Sequence, residues 1–233
     1  KRYANGELVE TSAKTFPGIR SLLRDNIAGV MDVTGFYKTP ANTAFLFRHN
    51  GKIYNESQAW LNCDSAFFNV FPSLLLRGDR ETVLQEPNRL LLTESMARKI
   101  FGDQDPIGQT IDRIDDYAEG SNYIVSGILR DIPANAHFHG SIVEHILDKW
   151  PESDVELWGE GRLSTYVTFS VKIQPDAIEK KLNTLLADLA KENPLVKDTE
   201  VFLQPITDIH LESHCVDELE ANETREFFGV ERG

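Results

Sequence analysis

Cysteine is scarce: Cys63 and Cys215 are the two in 233 residues. A pair cannot supply a disulfide framework or a thiolate zinc site. Whether the two are separate thiols or one long-range disulfide stays open at the level of sequence. Positive charge is also short, with 24 lysines and arginines against 37 aspartates and glutamates and a formal charge of −13. Such a surface repels phosphate backbones and anionic headgroups, which disfavours binding of nucleic acid and electrostatic docking on lipid. The acidic residues are dispersed rather than gathered into a tail, and so serve solubility. No run approaches the roughly 18 consecutive apolar residues of a membrane span, and no signal peptide is visible. A Gly-x-Ser-x-Gly elbow, an HExxH pair and an internal repeat are likewise missing. The chain opens at Lys1 rather than methionine, so a piece of a longer protein is expected.

What is present is ordinary globular composition, 41% hydrophobic and 26% charged, in a chain long enough for two small domains that need no staples. Residues 3–11 read as a short edge strand. Pro17 sits well for a first helical turn, and Ile19, Leu22, Leu23, Ile27 and Val30 recur at helical spacing. Strand-like runs at 33–37, 43–48 and 52–54 follow, the last two joined by the hairpin dipeptide Asn50-Gly51. Phe67, Phe68 and Phe71 mark an aromatic-dense buried turn or short helix. Further on, the pattern predicts a strand over 123–129, a helix over 141–150, and a strand over 164–173. A helix from Pro175 carries Ile178, Leu182, Leu185, Leu186 and Leu189 on one face, and a strand is expected at 201–203. Strands and helices alternate without a long βαβ series, so the fold class is α+β, with a middle section inserted into a domain made from both ends.

The stretch from Leu90 to Ile111 has the outline of a phosphate loop, an apolar strand followed by a glycine-bearing turn. A Walker-type loop needs four residues between its glycines, a lysine after the second, and a helix beyond. Here Gly102 and Gly108 enclose five residues, Gln109 stands where lysine is needed, and the helix comes first. The same residues read better as architecture. Leu90–Leu92 form a strand, Thr93 caps a helix, and Met96, Ala97, Ile100 and Phe101 give that helix one apolar face. Arg98 and Lys99 suit its C-terminal end, Gly102 the left-handed position beyond, and Asp105-Pro106-Ile107-Gly108 a type I turn.

Residues 93–110 together resemble the hallmark of the MacB-type periplasmic core domain of FtsX-like ABC transporter permeases. The aromatic segment 64–71 with Arg77-Gly78-Asp79 is similar to the family's upstream block. Residues 125–137 are similar to its downstream strand and turn, and 203–211 to the segment before its return to the membrane. The resemblance implies a porter-like βαβ subdomain from residues 1–80 and 164–214, an inserted "sabre" subdomain at 81–163, and a tail at 215–233 leading back to the membrane. It implies a periplasmic domain of an inner-membrane permease, non-catalytic and without a cofactor of its own. Its partners would be its own transmembrane helices, a fused or separate ABC ATPase, a second permease subunit, and a periplasmic protein or a peptide or lipid substrate.

Other chemistry is sparse. His210 and His214, with Asp208 and Asp217 close by, are the strongest metal candidates, although the spacing also suits a hydrogen-bonded turn. His137 and His139 would share a strand face but follow Pro133 in a loop-like stretch. Asp115-Asp116 reads as solvated loop, and Phe67, Phe68 and Phe71 as core rather than peptide groove. The rival readings are a free-standing extracytoplasmic ligand-binding or sensor domain, which would need a preformed polar-lined pocket, and a metal-dependent hydrolase built on His210.

Overall fold

The computed structural model describes residues 1–39, 46–56, 60–86, 88–114, 121–145, 157–159, 161, 163–170 and 172–209. The described elements run in order β1 (Arg2–Ala4), β2 (Glu7–Glu10), α1 (Ile19–Asn26), β3 (Val30–Lys38), β4 (Leu46–His49), β5 (Lys52–Asn55), β6 (Trp60–Cys63) and α2 (Phe67–Val70). They continue with β7 (Leu75–Arg77), β8 (Arg89–Thr93), α3 (Glu94–Phe101), β9 (Thr110–Arg113), β10 (Ser121–Leu129), β11 (Ile142–His145), β12 (Ser164–Phe169) and α4 (Pro175–Leu189). The fold is α+β, with a large mixed sheet and few helices. Two compact units emerge: Lys1–Val30 with Glu152–Ser164 and Phe169–Gly233, and Met31–Pro151 with Thr165–Thr168. These boundaries differ from the 1–80, 81–163 and 164–214 division drawn on the sequence, because the strands after Val30 pair with those from the middle of the chain.

In the first unit, Asn5 and Gly6 turn at positive φ and fold residues 2–10 into the β1–β2 hairpin, where the sequence suggested one strand. The outer side of β1 meets residues 198–200. Arg2 bridges Thr199, the Tyr3 amide donates to the Asp198 carbonyl at 2.9 Å, and the Glu200 amide to the Lys1 carbonyl at 2.9 Å. The helices α1 and α4 pack together, burying Ile19 and Leu23 on one and Leu182 and Leu186 on the other. The expected strand at 201–203 is absent. Instead, side chains of α4 satisfy that backbone: Asn183 both donates to the Val201 carbonyl and accepts from its amide, and Glu179 accepts from the Leu203 amide.

In the second unit the sheet runs β12-β3-β6-β11-β8-β10-β9-β4-β5, with β7 added to β10. The pairs β6/β11 and β8/β10 are parallel, whereas β8/β11, β9/β10, β4/β9, β4/β5 and β3/β6 are antiparallel. The helix expected over 141–150 is replaced at its start by β11, and residues 146–150 lie outside those described. All four residues of β11 are buried, as are those of β6, so neither strand shows the alternation that a half-exposed strand would.

Two cores cover the two faces of this sheet. On one face, Trp60, Leu90, Leu92, Ile111, Tyr123, Val125 and Ile142 are packed with Phe47, Tyr54 and the apolar side of α3. Each such side chain taken from water contributes about 1.5–3 kcal/mol. On the other, Phe36 meets Phe67, Phe138 and Tyr166 at ring-centroid distances of 5.4, 4.9 and 5.3 Å.

Candidate functional site

The stretch from Leu90 to Ile111 runs strand, helix, turn and strand. Thr93 ends β8 in an extended conformation, and its Oγ1 accepts from the Met96 amide at 3.4 Å. Met96, Ala97, Ile100 and Phe101 are buried, whereas Arg98 and Lys99 are exposed in the last turn. Lys99 reaches Glu56 as an ion pair. Gly102 follows at φ +63, ψ −123, outside the left-handed helical region and in a quarter that side chains avoid. The turn lies one residue later than the sequence suggested. Its closing bond runs from the Gln109 amide to the Pro106 carbonyl at 3.1 Å, which puts Gly108, at φ +82, third rather than fourth. That position requires positive φ in a type II turn, so glycine is used for its backbone. The turn is stitched to β10: Gly108 donates to the Val125 carbonyl at 2.8 Å, and the Val125 amide to the Gln109 carbonyl at 2.9 Å. Asp105 precedes it, accepting from the Ile107 amide at 3.1 Å and from Arg77 at 2.9 Å. The Arg77 guanidinium, with the Ile107 amide, holds the Asp105 carboxyl below its usual range.

A helix N-terminus attracts anions because its first amides lack partners. At α3 that place is taken by the chain's own carboxylate. Asp131 accepts from the Ser95 amide at 3.0 Å and from the Ser95 hydroxyl at 2.6 Å. Partial burial pushes the Asp131 carboxyl up, but the bonds from Ser95 and Thr93 outweigh it and hold the group below the usual range. A phosphate would have to displace this carboxylate, with no lysine to help.

A second polar cluster lies under the α3 face of the sheet. Glu144 of β11 is 9% exposed and accepts from the Trp60 indole at 2.8 Å and from the Tyr123 hydroxyl at 3.0 Å. Arg113 of β9 stacks 5.3 Å from the Trp60 ring centroid and bonds to Tyr123. Burial pushes the Glu144 carboxyl above its usual range, and its two donors and the charge on Arg113 only partly offset this. Burial and the nearby Glu144 push Tyr123 up to about 12. The recess beside these groups, lined by Phe47, Leu90, Ile111 and Ile142 among others, is too tight to admit water. The arrangement therefore ties strands together, with no room for a substrate. Sequence reading passed over Glu144, although a lone carboxylate inside Ile142-Val143-Glu144-His145-Ile146-Leu147 is a legible signal.

The weaker candidates separate. His210, His214 and Cys215 lie outside the described residues, as do Asp115, Asp116 and the tail at 215–233. Cys63 is buried, and its Sγ donates to the Glu144 carbonyl at 3.6 Å. His139 bonds to the Pro133 carbonyl at 2.9 Å, and His137 lies edge-on to Phe138 and tilted against Tyr166. Phe67 and Phe68 are core. Among the described residues no three of His, Cys, Asp and Glu converge as a metal site, and no helix is long and apolar enough to cross a membrane.

Comparison with known proteins gives this architecture a family. Similar solved structures include a domain from Porphyromonas gingivalis described as part of a permease, at 21% identity and TM-score 0.58 over 79% of this chain and 72% of that one. The periplasmic region of MacB from Actinobacillus actinomycetemcomitans matches at 18% identity and TM-score 0.51, over 76% of each chain. The extracellular domain of the ABC-type transporter YknZ from Gram-positive bacteria matches at 16% identity and TM-score 0.55, over 87% of this chain and 96% of that one. None of the curated protein sequences matches the chain. The sequence profile of the MacB-like periplasmic core domain matches residues 5–185. Domains of this kind are generally non-catalytic. The chain belongs to the MacB-like periplasmic core domain family, the periplasmic domain of ABC-transporter-type permeases.

Proposed function

We propose that this domain is a mechanical relay. It stands outside the inner membrane between two transmembrane helices of its permease subunit and carries movement from a cytoplasmic ABC ATPase, fused or separate. The movement serves extrusion of a peptide or lipid substrate, or acts on a periplasmic partner, within a permease dimer. The domain needs no cofactor of its own. The observation that carries the reading is the clasp between two distant segments of the first unit. Residues 1–3 and 198–200 pair directly, and the Tyr3 hydroxyl adds a bond to Glu200 at 2.8 Å. A load arriving along either segment therefore reaches the same unit, as a relay requires. Neither the closed tie at Glu144 nor the self-capped α3 offers a reacting group to a substrate.

The test uses the full permease with its ATPase. Replacing residues 1–209 by a flexible Gly/Ser linker is expected to abolish extrusion while basal ATP hydrolysis continues. Extrusion that persists at the wild-type rate would contradict the relay.

A further inference from the structure

Glu144 is the one carboxylate in the described part of the sheet that sits in the core of the α3 face. It spans two strands through neutral donors: Trp60 on β6 and Tyr123 on β10. Neutral donors bond to a carboxylate, but they can also accommodate the protonated acid if the Tyr123 hydroxyl turns to accept. Ionisation is thus allowed by geometry but opposed by burial. Among the described residues, the charged and titratable groups that bear on it are few. On its own strand His145 follows on the opposite face, and β10 contributes Tyr123. Arg113 comes from β9, held against Trp60 rather than in ion-pair contact with the carboxylate. On β6 the paired residue is Asn62, on β8 it is Leu90, and Tyr37 of β3 pairs with Asn62 one strand further on. The α3 residues packed on this face are apolar, with Arg98 and Lys99 exposed on its outer side.

We propose that Glu144 is a pH-responsive tie within the second unit: protonated between its two neutral donors, it leaves the sheet at its firmest, and its ionisation loosens the sheet as the surrounding medium becomes less acidic. The sign follows from linkage. A carboxyl held above its unfolded value contributes stability fully below that unfolded value, and the contribution is lost as pH rises through the folded one. The window therefore opens at about pH 4.5, the ordinary glutamate value, and extends upward. Asp105 and Asp131 act in the other direction and in a separate window, since both are held low and lose their contribution only as pH falls below about 3.8. The biological sense of the device rests on the extracytoplasmic reading, because a domain outside the membrane meets the pH of the medium; the chemistry of Glu144 does not.

The experiment is a carboxyl carbon-13 NMR titration of the chain labelled at glutamate, with urea unfolding across the same pH range. One glutamate is expected to titrate above the rest, and its signal to be absent from Glu144→Gln. The wild-type urea midpoint should fall as pH rises through that titration, and the Glu144→Gln midpoint should stay flat there. Should Glu144→Gln not fold, Tyr123→Phe serves instead: loss of a donor should move the outlying signal to still higher pH. Glu144 titrating with the surface glutamates, or an outlying signal unmoved by Tyr123→Phe, would overturn the proposal. Failure of the linker experiment above would leave this result untouched, so the two readings fail separately.

Discussion

The two faces of the second unit's sheet are covered in different ways. One carries an eight-residue helix with a continuous apolar side, and beneath it a buried carboxylate with two hydrogen-bond donors. The other has the four-residue α2 and loop residues, and it fills space with aromatic rings at edge-on and stacked angles around Phe36. Ring-on-ring packing depends on shape alone and loses most when a ring is removed. The tied face depends on shape and on charge state, so it responds to its solvent as well. The contrast lies in how each face is filled, since the aromatic face also holds the buried His145 and meets His137, while the carboxyl that burial pushes up lies on the α3 face.

The sharpest way to break the comparison is Phe36→Ala. The ring is fully buried, and its removal is expected to lower unfolding free energy by about 3–5 kcal/mol, equally at all pH values where the chain is folded. Urea unfolding at two pH values measures both points. A smaller effect is expected from Trp60→Phe, which keeps an aromatic ring but withdraws one donor from Glu144. A buried acceptor left short costs about 1–3 kcal/mol, and here the loss should grow as pH rises, because the ionised form needs the donor more. A loss equal at acid and neutral pH would remove the distinction between the faces. Least costly should be Gly102→Ala at the end of α3. Among the described residues no atom beyond the chain neighbours lies within 4 Å of an added Cβ, so the expense is backbone strain, about 1–2 kcal/mol. A loss much larger than that would mean that the helix end is packed more tightly than its surroundings show.

These contrasts also explain what could be read from the sequence. The α3 face announced itself, because Met96, Ala97, Ile100 and Phe101 repeat at helical spacing and Thr93 is a strong cap. The aromatic density at Phe67, Phe68 and Phe71 was legible as core without revealing what it packs on. β11 was misread because Ile142 to His145 lie between β6 and β8 with both faces buried, which erases the two-residue period that separates strand from helix. The position of Glu144 beside Trp60, Tyr123 and Arg113 depends on a strand order that no local pattern encodes. The capping of α3 by Asp131 was hidden for a similar reason, since 36 residues separate it from Ser95. The turn at Pro106 was placed one residue early because Asp105-Pro106-Ile107-Gly108 fits one turn type by residue preference, while the stitching to Val125 selects another.

The central claim is that residues 90–111 are a brace whose helix N-terminus is already filled, and not a nucleotide site. It is tested most directly by thermal unfolding of the chain with and without millimolar MgATP. A ligand that binds the native state raises the melting temperature in proportion to RT ln(1 + [L]/Kd). Coincident melts are expected. A clear rise with MgATP, abolished by Gly108→Val in a variant that still folds, would contradict it.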